Sequence, residues 1–138
     1  MAIAAMIAWV VTASIGAYML RTWVTHGGLR RQRATGAGVP PAVVFGHASA
    51  ALTGLLIWLG FVDTHSDLLA WLGVTVVSGA IALGICTVTL WTPYPVAASP
   101  APASGRPRLK LAGLVPAAHG FAALTTFMLA VLAAISAR

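Results

Sequence analysis

Four stretches of this chain are each long and apolar enough to cross a bilayer, and little sequence is left over. A membrane-spanning helix needs about 20 apolar residues. Residues 3–24, 41–62, 68–91 and 114–136 meet that length, and their only charge is Arg21, close to one end. Backbone N–H and C=O groups in hydrocarbon must be bonded within the protein, which leaves helices or a closed barrel. The period-2 alternation of barrel strands is absent. The expected fold is therefore all-α, an integral membrane four-helix up-down bundle forming a single transmembrane domain over 1–138.

Composition agrees. The chain is 59% hydrophobic and 7% charged, whereas a soluble domain carries about 25% charged residues. Residues 1–20 contain no Lys or Arg, and a secretory signal normally opens with a positive region, so the first run reads as a retained span.

The pieces between the runs are polar or rich in turn residues: "THGGLRRQRATGAGVPP", "DTHSD" and "TPYPVAASPAPASGRPRLKLAG". Pro40 and Pro41 open the second span and Pro116 falls in the first turn of the fourth, where a missing N–H costs nothing. Arg21, Arg30, Arg31 and Arg33 flank or lie in the first connection, and Arg106, Arg108 and Lys110 lie in the third. By the positive-inside rule the basic segments 25–40 and 92–113 are expected to be cytoplasmic loops, with both termini outside. Trp23 and Trp91 then mark the inner interface and Trp71 the outer one. The net charge of +6 sits between apolar runs, so anionic lipid rather than nucleic acid is its counter-charge. Arg30, Arg31 and Arg33 are the candidate contacts for lipid or a partner, although setting the topology alone would account for them.

The chain repeats itself. "HASAALTGL" from His47 matches "HGFAALTTF" from His119, and more weakly "VVTASI" from Val10 matches "VVSGAI" from Val76. The offsets are 72 and 66. A duplicated helical hairpin is the reading, its copies parallel and related by a pseudo-twofold along the membrane normal. Small residues that let helices approach recur at Gly46, Ala50 and Gly54, at Ala80 and Gly84, and at Ala118 and Ala122. They suit packing within the bundle, or docking of other membrane subunits or a second copy.

Both histidines of the repeat lie near the basic ends of their helices. His47 is roughly 9 Å past Pro41 and His119 roughly 4.5 Å past Pro116, at about 1.5 Å per residue. In an up-down bundle the second and fourth helices are diagonal, so the rings are expected to approach one another across the axis. That arrangement suits bis-histidine ligation of one haem b, with Gly46, Ala50, Gly120 and Ala123 leaving space for a flat ring. A quinone site is a further reading. The plainest is that both imidazoles are neutral polar glue between helices. Cys86 is alone, no span holds an acid, and no other metal site is expected. His26 and His65 fall in connections.

Several classes are excluded. No nucleophile with its base and no pair of in-span carboxylates is visible, so no catalytic residue is assigned. There is no phosphate loop, and the soluble pieces are too short to fold alone. Around His47 and His119 the chain resembles small four-helix membrane proteins of high-GC actinobacteria with an "HGxxAxxT" stretch in the last helix. The resemblance implies a bacterial plasma membrane and supplies no activity. The function expected from sequence is a non-catalytic accessory or anchor subunit of a bacterial membrane complex of the respiratory kind. A one-haem electron-transfer or quinone-site subunit is the alternative, and a small oligomeric transporter is the second.

Overall fold

The computed structural model describes residues 1–36, 38–90 and 111–137. It is an all-α membrane bundle: α1 (Ala2–Thr25), α2 (Gly28–Thr35), α3 (Pro41–Thr64), α4 (Asp67–Leu90) and α5 (Leu111–Ser136). Helices α1, α3, α4 and α5 are the four long enough and apolar enough to span a membrane. Arg106, Arg108, Lys110, Arg138 and Trp91 lie outside the described residues.

Helix boundaries follow local chemistry. Pro40, held extended at φ −58° and ψ 135°, precedes Pro41 in the first turn of α3, where its ring preorganises the helix. His65 ends α3 in the left-handed region at φ 57°, its N–H donating to the Phe61 carbonyl at 2.8 Å. Only His65 and Ser66 separate α3 from α4, so the two must pack antiparallel. Asp67 in the first turn of α4 complements the positive end of that helix's dipole.

Two boundaries differ from the sequence expectation. Residues 28–35, read as loop, form α2, bounded by left-handed Gly27 (φ 76°) and Gly36 (φ 65°). Its Leu-Arg-Arg-Gln-Arg-Ala run has good helix propensity, but eight residues are too few to show a hydrophobic period. Helix α5 starts at Leu111, which moves Pro116 inside the helix rather than its first turn.

Each long helix touches two others: α1 and α4 both pack on α3 and on α5. The bundle is thus a closed up-down ring in chain order, with α1/α4 and α3/α5 as its diagonals. One end carries α2 with Arg30, Arg31 and Arg33, and is called here the basic end. The opposite, acidic end carries Met1 and the α3–α4 turn with Asp63 and Asp67.

The interior at the acidic end is built from indoles set against glycine. Trp9 and Trp58 pack at 6.0 Å between ring centroids, and Phe61 meets Trp58 edge-on at 4.9 Å. A methyl group on Gly54 would lie 2.6 Å from Cζ2 of Trp9, and one on Gly73 would lie 2.8 Å from Cε3 of Trp58. Each indole N–H is satisfied across helices, Trp9 donating to the Ala51 carbonyl and Trp58 to the Ala2 carbonyl, both at 3.1 Å. Ala5, Ala70, Ala130, Ala133 and Ala134 complete this core. Ile3, Ile7, Leu52, Leu56, Leu59 and Leu132 stay exposed, forming an apolar belt suited to lipid contact. Small residues inside and large ones outside is the pattern of helices that associate by close packing in lipid.

Candidate functional site

Burial divides the bundle in two. Thr12 of α1, Gly54 of α3, Ala80 of α4 and Thr126 of α5 are buried, and buried positions continue from them toward the acidic end. Thr12 and Thr126 link α1 to α5 there by a hydroxyl–hydroxyl bond of 3.0 Å. Toward the basic end, none of the described residues of these four helices is buried. The half-buried His47 and His119 lie just inside this open half. Each is seven residues from the buried layer on its own helix, His47 from Gly54 and His119 from Thr126, or about 10 Å.

The two imidazoles meet across the α3/α5 diagonal. Their ring centroids are 6.0 Å apart and their planes cross at 80°. Each ring rests on a glycine of a neighbouring helix. A methyl group on Gly84 of α4 would lie 3.2 Å from Cε1 of His47, and one on Gly16 of α1 would lie 3.0 Å from Cε1 of His119. A methyl at either glycine would press the ring above it back by a few tenths of an ångström, and a larger side chain further.

The second contacts of the rings differ. Nδ1 of His47 lies 2.7 Å from the Ala80 carbonyl. A carbonyl only accepts, so Nδ1 carries the proton and Nε2 keeps its lone pair. Ala80 is one helical turn from Gly84. On α1 the position matching Ala80 is Thr12, also buried and one turn from Gly16. Nδ1 of His119 is buried without a hydrogen-bond partner. Thr12 with Ala80, and Gly16 with Gly84, are each 68 residues apart. The structural equivalence of α1 and α4 therefore runs at 68, two residues from the register of 66 suggested by the Val-Val match.

The small residues named from sequence do different jobs. Gly54 seats Trp9, Gly84 seats His47, and a methyl group on Gly46 would lie 3.8 Å from Cδ1 of Leu83. Ala80 is buried, Ala50, Ala122 and Ala123 are half-buried, and Ala118 is exposed. Gly120, expected beside a flat ring, is exposed with no neighbour near its missing side chain. The glycines that matter at the histidines are Gly16 and Gly84. Gly16 went unnoticed in the sequence because a single glycine in an apolar run carries no signal until its partner helix is known.

Arg30, Arg31 and Arg33 are all exposed on α2. Arg30 and Arg33 border a cleft of about 280 Å³ together with Val24, Gly27 and Leu29. Trp23 fixes this corner, packing on Gly28 and edge-on against Phe45 of α3 at 6.3 Å.

The chain matches no protein-family model, no curated protein and no solved structure.

The chemistry open to the histidine pair follows from its ligand count. Among the described residues, no cluster of three or more His, Cys, Asp or Glu is placed to hold a metal ion. A bare zinc ion takes about four ligands, and two imidazoles are too few. A haem supplies its own equatorial nitrogens and asks the protein only for axial ligands. A metal–imidazole bond of about 2 Å and a nitrogen-to-centroid distance of about 1.1 Å would put two imidazoles on opposite sides of one metal ion about 6.2 Å apart. The separation observed is 6.0 Å.

Proposed function

We propose that this chain is a b-type haem protein of the bilayer, an electron-transfer subunit in which His47 and His119 are the axial ligands. The observation that carries the reading is the facing imidazole pair, 6.0 Å apart on diagonal helices, in the half of the bundle where the described residues of the long helices are not buried.

The remaining features of the site support it. Gly16 and Gly84 let each imidazole lie directly against a neighbouring helix, which fixes where the ring sits. The Ala80 carbonyl holds His47 in the tautomer that offers Nε2, as metal-bound histidines require of their outer partners. A haem held by His47 and His119 would supply one-electron chemistry. The protein's part is to hold the rings, exclude water and supply a low-dielectric surround. Set within the bilayer, the chain would pass electrons to membrane neighbours, consistent with a place in a respiratory assembly. The basic end faces the cytoplasm of a bacterial plasma membrane in this reading, by the positive-inside rule.

The test is optical. Full-length protein purified in mild detergent from haem-supplemented cells is expected to show a Soret band and, when reduced, a sharp α band. His47→Ala and His119→Ala should each abolish the six-coordinate spectrum while leaving helix content unchanged. A colourless wild-type protein, or a spectrum indifferent to both substitutions, would refute the proposal.

A further inference from the structure

A second site, separate from the histidines, lies where α1 turns into α2. We infer that the cleft between Val24, Gly27, Leu29, Arg30 and Arg33 binds the phosphate group of an anionic phospholipid, with the acyl chain lying on Val24 and Leu29.

The argument begins with the corner itself. Gly27 adopts φ 76°, a conformation that favours glycine, and this turns the chain sharply at the end of a membrane span. The Trp23 indole then packs onto Gly28 and against Phe45, which anchors α2 to the bundle. Arg30 and Arg33 are three residues apart, hence on one face of α2, and both border the 280 Å³ cleft. Arg31 is turned away from that face and does not line it. The cleft joins two arginines to apolar walls at the end of a hydrocarbon-spanning helix. That combination matches a phospholipid, which offers a phosphate and an acyl chain at one depth. Guanidinium groups also suit phosphate by their fork of donors. Neither carboxylate of the chain competes, because Asp63 and Asp67 are at the opposite end of the bundle.

The experiment uses the full chain in detergent, titrated with phosphatidylglycerol or phosphatidylcholine and read by native mass spectrometry. A basic side chain near an anionic surface contributes about fivefold to binding. Arg30→Ala and Arg33→Ala, which also remove direct contacts, are each expected to weaken phosphatidylglycerol binding by more than that, and the double substitution by at least about 30-fold. Arg31→Ala should lose no more than the fivefold field effect, and phosphatidylcholine should bind weakly throughout. Equal losses for all three arginines would overturn the inference in favour of diffuse surface attraction. Displacement of the lipid by excess inorganic phosphate would overturn it in favour of a simple anion site. Far-ultraviolet circular dichroism of each variant checks that the helices persist, and haem content is not involved in any arm.

Discussion

Gly54→Ala is expected to destabilise the bundle far more than one methyl group normally does. The added Cβ would lie 2.6 Å from Cζ2 and 3.0 Å from Cη2 of Trp9, and 3.2 Å from Cγ1 of Val76. The indole has no easy retreat, since its N–H is bonded to the Ala51 carbonyl and its ring packs on Trp58. Overpacking of this kind costs about 1–3 kcal/mol, or about 5- to 150-fold in the folding equilibrium. Gly79→Ala is the control, because nothing lies within 4 Å of its missing Cβ. It should be neutral or gain up to about 1 kcal/mol from helix propensity. Reversible unfolding in mixed micelles, followed by tryptophan fluorescence, measures both. Trp9→Phe removes the far edge of the ring that meets the new methyl, so the double variant should recover part of the loss. A coupling of about 0.5–3 kcal/mol is expected for residues in contact. Gly54→Ala as stable as the parent, or additive with Trp9→Phe, would refute the packing described for this half.

Two further predictions concern the layer around the histidines. Gly16→Val and Gly84→Val should each lower haem occupancy severalfold while the protein stays helical and monodisperse, since each side chain would push the imidazole off its seat; retained occupancy in a haem-reconstitution titration would contradict this. Thr126→Val should cost only about 0.6 kcal/mol, the average for interhelical hydrogen bonds in membranes, because the Thr12 hydroxyl still has the Ala8 carbonyl as partner; a loss several times larger in the same micelle assay would show that the bond matters more.

What the sequence revealed and concealed has one physical cause. In lipid the outer face of a helix is as apolar as its inner face, so no hydrophobic stripe marks which side is buried. Span number and approximate limits were legible from length and hydropathy alone. The histidine pairing was legible because two polar groups recur in matched apolar runs and the connectivity puts α3 and α5 on a diagonal. Gly16, Gly73 and the Trp9–Trp58 contact were not, since each depends on which residue of another helix lies opposite. The register of 68 between α1 and α4 was hidden for the same reason: it is set by Thr12, Gly16, Ala80 and Gly84 facing the rings, not by the similar Val-Val pairs. Helix α2 was hidden by its brevity and by glycines that read as loop.

Electron paramagnetic resonance of the oxidised, haem-loaded protein tests the central claim most directly. Imidazole planes crossed at 80° predict a strongly anisotropic low-spin ferric signal, lost in His47→Ala and in His119→Ala. A high-spin ferric signal in the parent protein, or a low-spin signal that survives both substitutions, would contradict axial ligation by this pair.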